Sequence, residues 1–295
     1  MEPQASLGII GGSGLYRLSG LENVRAIDIE TPFGRPSEPI RIGSLNGREI
    51  AFISRHSDGH TLSPSAIPYA ANICALKMAG VQSVVSISAV GSLQEELAPR
   101  SFVVPDNIID RTMGRQRTFF EEGVVAHVSL ADPFCPTLSQ ALAVAASAGG
   151  LPVSSGGTYV CIEGPQFSTR AESHMYRSWG ASLIGMTAMP EARLAREAEL
   201  CYACLAMVTD FDVWHDSEEH VSVEAVLENL FAMTGAVAQI VPELAAMNDV
   251  GCDVGCRAAL SSAIVTRPDT IREDVRLRLQ PIAGHYLTNE AHRRD

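Results

Sequence analysis

Several things are missing from this chain, and each absence removes a class of function. It carries 22 Lys and Arg against 34 Asp and Glu, a formal net charge of −12, so it lacks the basic field that a general nucleic-acid or anionic-membrane surface requires. An anionic ligand would need a local cationic pocket instead. No apolar run reaches the ~18 residues of a membrane span, and the opening Met1-Glu2-Pro3-Gln4 lacks the basic segment of a signal peptide, which makes the cytoplasm the expected compartment. The seven cysteines are odd in number and dispersed, unlike a secreted disulfide framework. Aromatic residues supply only 6% of the chain. Internal repeats and low-complexity tracts are also missing.

What is present is aliphatic. Hydrophobic residues reach 46%, carried by Ala, Val, Ile and Leu, which suits buried parallel strands packed against helices with small side chains. At 295 residues the chain has room for one large α/β domain, expected over 1–248, and a C-terminal extension over 249–295 made of a helix and a charged tail.

The stretch Leu200 to Val208 is almost wholly apolar and reads as a strand buried on both faces. It delivers Thr209-Asp210-Phe211-Asp212-Val213-Trp214 to its carboxyl end. Ligands in open α/β sheets bind outside those ends, so the Asp210 and Asp212 pair is a candidate site, with a helix cap or a solvated turn as the alternative. Near the N-terminus, Leu7-Gly8-Ile9-Ile10 runs into Gly11-Gly12-Ser13-Gly14. The dinucleotide fingerprint fails because Arg17 stands where its third glycine belongs, and the P-loop fails for want of Gly-Lys-Ser/Thr. An anion cradle with Ser13 as donor and a plain tight turn both remain open.

Further strands are expected at Asn23 to Ile29, Ile40 to Leu45, Glu49 to Ile53, Val84 to Ala89, Phe102 to Ile109, Thr158 to Ile162 and Ser182 to Gly185. The strand at Glu49 to Ile53 presents Arg55 and His56, and the guanidinium suits a bidentate grip on phosphate. His56 and His60 lie in a Ser- and Gly-containing loop, which argues against a metal pair. Helices are expected over Tyr69 to Met78, opened by Pro68 and closed by Gly80, over Leu138 to Ala148 and from Pro190 to Glu197, followed by a long one from a Ser222 cap with Val223, Val226, Leu227 and Leu230 at helical spacing and Pro242 as a kink point. Asp216 to Glu219 reads as a solvated loop. A last amphipathic segment spans about Arg257 to Val265, and the charged tail beyond Arg267 has no core pattern. Cys201 and Cys204 would face opposite sides of a strand, which disfavours a shared metal. Cys252 and Cys256 are spaced so that two sulfurs could meet, though two free thiols are expected.

Ser13, Arg55, His56, Ser88 and Thr187 thus all lie at or just after strand ends. With them, the ordered set GIIGGSGLY, SRHSDGHTLSP, SAVGSL, DNIIDRT, ADPFCP, EGPQFSTRAES, IGMTAMPE and TDFDVWH resembles the methylthioadenosine phosphorylases of the trimeric purine nucleoside phosphorylase family, over about residues 7 to 245. The resemblance implies an α/β fold of the nucleoside phosphorylase type, with a mixed sheet curling toward a barrel and helices around it. It implies reversible phosphorolysis of 5′-methylthioadenosine to adenine and 5-methylthioribose 1-phosphate, with phosphate as co-substrate and no metal or organic cofactor. Ser13, Arg55, His56, Ser88, Ala89 and Thr187 fall on phosphate-contact motifs, and Ser13 stands where some relatives carry Thr. Phe167 and Met186 fall on the base and ribose positions, and Asp210 and Asp212 on the base-contacting acids. Asp210, Asp212 and His56 are the residues expected to carry catalysis. Val223, with Val226 beside it, falls on the methylthio pocket, Ser168 and Val223 are specificity positions, and His127 matches a residue lent by a neighbouring subunit of a homotrimer or hexamer. A 6-oxopurine nucleoside or methylthioinosine phosphorylase, expected to carry Asn at 210, is the near alternative. A nicotinamide-dependent dehydrogenase and a non-enzymatic nucleoside sensor are the distant ones.

Overall fold

A computed structural model describes residues 4–16, 18, 20–215, 223–247, 251–252 and 254–288. In chain order the elements are β1 (Leu7–Gly11), β2 (Glu22–Ile27), β3 (Ile40–Leu45), β4 (Arg48–Ser54), α1 (Tyr69–Met78), β5 (Ser83–Ser92), β6 (Phe102–Val104), β7 (Asn107–Arg111), α2 (Pro136–Ala148), β8 (Val153–Ser155), β9 (Thr158–Ile162), α3 (Arg170–Ser178), β10 (Leu183–Gly185), α4 (Ala188–Glu197), β11 (Cys201–Asp210), α5 (Val223–Ala246) and α6 (Glu273–Ala283). The strands form one mixed sheet in the order β2-β3-β4-β1-β5-β10-β9-β7. From this path β11 branches off alongside β5, with β6 and then β8 beyond it. The expected curl toward a barrel does not end in closure; the sheet stays open and forks instead.

The fork is built into β5. One edge of this strand pairs with β1 as far as Gly11↔Ile87 and, further on, with β10 from Ile184↔Gly91. Its other edge pairs with β11 in parallel from Ser83 to Gly91. Between the two partners of the first edge, Ser88, Ala89 and Val90 have a strand neighbour only in β11. A notch therefore opens in the sheet where the first edge of this stretch has no strand to pair with. Helices cover both faces. Alternation along β11 sends Tyr202, Cys204, Ala206 and Val208 into one apolar cluster and Cys201, Ala203, Leu205 and Met207 into the other, so every residue of that strand is buried. On the second face α5 buries Leu230, Val237, Ile240, Val241 and Leu244, each worth about 1.5–3 kcal/mol on the usual scale for an aliphatic side chain.

Several expectations need correction. The strand read over Phe102 to Ile109 is two strands, because Pro105 cannot donate to a ladder, and the chain crosses from β11 to β9 at that point. β8 and α3 were not anticipated. α3 begins with a capping box in which Thr169 accepts from the Glu172 N–H and Glu172 accepts from the Thr169 N–H. Arg257 to Val265 is not a helix but a short 3-10 turn and irregular chain, bridged at Ile264 to Ala126. Beyond Arg267 the chain does have a core pattern: Ile271, Val275, Leu279, Ile282 and Leu287 are buried in the same cluster as α1 and α4. α5 runs on through Pro242. Asp216 to Glu219 and the Ser222 cap lie outside the described residues.

Candidate active site

The notch in the sheet opens into a cavity of about 480 Å³. Strand ends from β1, β4, β5, β10 and β11 reach it, and α5 forms its roof. At the β1 end, the Leu15 N–H donates to the Gly12 carbonyl at 3.1 Å, closing a tight turn that places Ser13 at its tip and Gly14 at φ 77°. Gly12 is required for a different reason. A Cβ there would lie 2.6 Å from the Ile87 carbonyl oxygen and 2.9 Å from Arg55 Nη1, so only glycine lets the turn close down on the guanidinium.

Arg55 is fully buried and held from three sides. Its Nε donates to Glu191 Oε2 at 2.8 Å, and its Nη2 to Glu191 Oε1 at 3.0 Å and to Ser86 Oγ at 2.7 Å. Burial opposes its charge, but the Glu191 carboxylate more than offsets this and holds the guanidinium protonated. Glu191 comes from α4, and its Oε1 also accepts from the Tyr202 hydroxyl at 2.7 Å. Arg55 Nη1 donates to the Ile87 carbonyl at 3.4 Å, and the residue lines the cavity. From Ser86 a chain of hydroxyls continues to Ser88 Oγ at 3.3 Å and then to Thr187 Oγ1 at 3.4 Å. Thr187 does not spend its hydroxyl on capping α4. Ser13, Arg55, Ser88, Ala89 and Thr187 thus surround one end of the cavity with a guanidinium, hydroxyls and open backbone.

His56 lines the same end. Its Nδ1 donates to the Leu62 carbonyl at 2.8 Å, since a carbonyl can only accept, and this fixes the tautomer with Nε2 unprotonated. Burial, against the opposing pull of the Leu62 carbonyl and helped by the Arg55 charge, brings its pKa down to about 4. The ring stacks on His60, with centroids 4.2 Å apart, and His60 Nδ1 meets the Tyr16 hydroxyl at 3.3 Å. At this end His56 is a neutral base rather than a second cation.

The opposite end is acidic. Between Val208 and Asp210 the pairing of β11 with β5 slips by one residue, so Thr209 is a bulge that re-aims the side chain after it. Asp210 Oδ2 accepts from the Thr209 hydroxyl at 2.7 Å and Oδ1 from the Asp212 N–H at 2.8 Å. Gly91 makes room for it: a Cβ there would sit 2.9 Å from Asp210 Oδ1. Asp212 adopts φ 53°, a conformation Asp tolerates better than most residues, and burial raises its pKa above the usual carboxylate value. Its Oδ2 is buried without a well-formed hydrogen bond among the described residues, Ser173 being close enough only to temper the shift. Trp214 locks the segment, its Nε1 donating to the Ser92 carbonyl at 2.7 Å and its ring lying under Arg177 at 3.4 Å. Between the two ends the wall is apolar, made by Ile162, Phe167, Ile184 and Met186, with Ser168 beside them.

The Phosphorylase superfamily model matches residues 6–246. The chain belongs to the phosphorylase superfamily. Within that superfamily it is 53% identical over 283 residues to the S-methyl-5′-thioadenosine phosphorylase of Chloroflexus aurantiacus, covering 96% of this chain and 98% of the relative. Among solved structures it is similar to a methylthioadenosine phosphorylase from an Antarctic soil metagenomic library, with TM-score 0.89, 48% identity and coverage of 95% and 99% of the two chains. It is also similar to the methylthioadenosine phosphorylase of Schistosoma mansoni in complex with adenine, with TM-score 0.83, 36% identity and coverage of 88% and 98%.

For this phosphorylase superfamily member the cavity gathers twelve of the residues singled out in the sequence: Ser13, Arg55, His56, Ser88, Ala89, Phe167, Ser168, Met186, Thr187, Asp210, Asp212 and Val226. Two do not join them. Val223 opens α5, but its side chain lies outside the described residues. His127 is exposed and away from this cavity. The cavity also takes in Tyr16, His60, Leu227, Leu230 and Phe231. Leu227 and Leu230 stood with Val226 in the helical-spacing pattern of the sequence, whereas Tyr16, His60 and Phe231 were not singled out by any periodic signal.

Proposed function

We infer that this chain catalyses the reversible phosphorolysis of 5′-methylthioadenosine, releasing adenine and 5-methylthioribose 1-phosphate. Near-full-length identity to methylthioadenosine phosphorylases supports the activity. The observation that carries the mechanism is the polarity of the cavity: a guanidinium and hydroxyls at one end, two buried carboxylates at the other, and an apolar wall between. In the proposed arrangement phosphate takes the first end, held by Arg55, Ser13, Ser88, Thr187 and the Ala89 backbone. The purine lies along Phe167 and Met186 with its N6 amine and N7 toward Asp212 and Asp210. Val226, Leu227, Leu230 and Phe231 roof the 5′ substituent, with Val223 and Ser168 as further specificity positions.

The bond between the anomeric carbon and N9 breaks, and its electron pair leaves with the purine. A phosphate oxygen forms the new bond to that carbon. The hydrogen phosphate loses one proton and the departing adenine gains one, so the reaction balances with phosphate as co-substrate and needs neither metal nor organic cofactor. Charge develops at both ends, and preorganised groups at both ends stabilise it. His56, neutral with a free Nε2, accepts the hydrogen bond of the phosphate hydroxyl, and Asp210 places a proton at N7. His127 completes a neighbour's cavity in a homotrimer. The test is a spectrophotometric assay with methylthioadenosine, adenosine and inosine, with and without phosphate. Phosphate-dependent adenine release from methylthioadenosine is expected; phosphate-independent hydrolysis, or release of hypoxanthine as the faster reaction, would overturn the assignment.

A further inference from the structure

Away from the cavity, four cysteines from three parts of the chain meet. Cys135 precedes α2, with its N–H donating to the Tyr202 carbonyl at 2.7 Å. Cys201 opens β11. Cys252 and Cys256 come from the C-terminal segment, where the Cys256 N–H donates to Cys252 Sγ at 3.2 Å and Gly255 makes a left-handed turn at φ 74°. The four Sγ atoms all lie within 4.8 Å of one another. All are free thiols, three buried and Cys252 partly so.

We propose that Cys135, Cys201, Cys252 and Cys256 form a closed structural site for one Zn²⁺. Zinc bound by four thiolates is tetrahedral with bonds of about 2.3 Å, which sets sulfur to sulfur edges of about 3.8 Å. The four sulfurs, within 4.8 Å of one another, are at most about 1 Å wider than that edge. The spacing from Cys252 to Cys256, with an N–H bonded back to the first sulfur, is a metal knuckle in form, and soft thiolates select zinc over calcium or magnesium. Without a cation the sulfurs are in conflict. Four thiols crowd within 4.8 Å of one another, and Cys135, Cys201 and Cys256 hydrogen-bond among themselves there. A divalent ion lets all four ionise: Zn²⁺ displaces one proton from each thiol that still carries one, leaving a tetrathiolate centre of charge −2. The Arg196 guanidinium, close enough to Cys256 for a direct charge interaction, offsets part of that charge.

The role is structural because the site closes on four protein ligands and stands at the opposite end of β11 from Asp210, about 30 Å away at the rise of an extended strand. It staples the C-terminal segment to the start of α2 and to the central strand. Metal analysis of the full chain, purified without chelator from zinc-supplemented cells, is the test. One zinc per chain is expected, retained through desalting and released with loss of thermal stability when the thiols are titrated with an organomercurial. Cobalt(II) in its place should give the sulfur-to-metal charge-transfer band and the red ligand-field bands of a tetrahedral tetrathiolate. Cys256→Ser should lose the zinc and melt earlier while turnover stays as in the parent. Metal-free protein, a mass lowered by two protons per disulfide bridge, or iron at one per chain would each overturn the proposal, and the first two are read on the wild-type chain whether or not the variant folds.

Discussion

Glu191 never enters the proposed chemistry, yet its replacement by Gln should damage the phosphate end. Its two oxygens accept from Arg55 Nε, Arg55 Nη2 and the Tyr202 hydroxyl at 2.8, 3.0 and 2.7 Å, and its side chain and that of Arg55 are each 1% exposed. Gln keeps one acceptor and points an N–H₂ at a donor, leaving a buried guanidinium without its counter-charge. Removing one partner of such a pair costs about 3–5 kcal/mol; since one acceptor survives, about 3 kcal/mol is expected, or on the order of 6 °C in Tm. The guanidinium should also lose its aim, so the KM for phosphate should rise by about tenfold, equivalent to about 1.4 kcal/mol, with a smaller change in the KM for methylthioadenosine. Tyr202→Phe is the graded control. It removes one neutral donor, costs about 1 kcal/mol, and leaves the fork between Arg55 and Glu191 intact, so its phosphate KM should match the parent. Calorimetry and phosphate saturation curves on the two variants decide the matter. If Glu191→Gln loses stability but keeps the parental phosphate KM, Glu191 only supports the fold and does not position Arg55.

Asp210→Asn should lower turnover of methylthioadenosine by about 10²- to 10⁴-fold, the usual worth of general acid catalysis, with phosphate affinity unchanged; steady-state rates near wild type would assign the proton donor elsewhere. Glu197 makes a pH prediction. Burial raises its pKa from 4.5 to about 7 against the opposing Phe119 N–H and Thr118 hydroxyl, so the folded chain holds this proton more tightly than the unfolded one. That contribution is fully present below pH 4.5 and is lost as pH rises to about 7, amounting to about 3 kcal/mol. Glu197→Gln should flatten the dependence in urea unfolding, and equal slopes for variant and parent would refute it. His127→Ala should raise the KM for methylthioadenosine in an assembly that light scattering shows to be trimeric; a fully active monomer would sink the shared-site reading.

Local signals carried well. Pro68 before and Gly80 after an Ala-rich run set α1 to within a residue, and Thr158 to Ile162 was readable because it is a short β-branched and aromatic run between glycines and a polar loop. Ser13, Arg55, His56, Ser88, Thr187, Asp210 and Asp212 were readable as cavity candidates because they sit at the ends of apolar strands, whereas Ala89, Phe167, Ser168 and Met186 were singled out only through the family resemblance. What stayed hidden was non-local or diluted. The partner of Arg55 lies 136 residues further on, and nothing in its own neighbourhood sets Glu191 apart from the other charges of α4. Ile271, Val275, Leu279 and Ile282 do repeat at helical spacing, but the arginines and acids between them mask the stripe. Cys201 was rightly separated from Cys204 by strand alternation; that its sulfur meets Cys135 from another element follows only from the fold.

The fork in β5 has a consequence for how this enzyme can change. The phosphate end and the acid end both hang on one strand, so a one-residue shift there would turn Ser86, Ser88 and the Gly91 clearance for Asp210 to the wrong side together. The roof hangs on α5, joined to the end of β11 by Asn229 Nδ2, which donates to the Thr209 carbonyl at 2.7 Å. In the proposed arrangement, reaction and ribose-tail preference are therefore separable heritable traits: drift or selection along Val226, Leu227, Leu230 and Phe231 would trade one 5′ substituent for another while the bond-breaking apparatus is inherited unaltered.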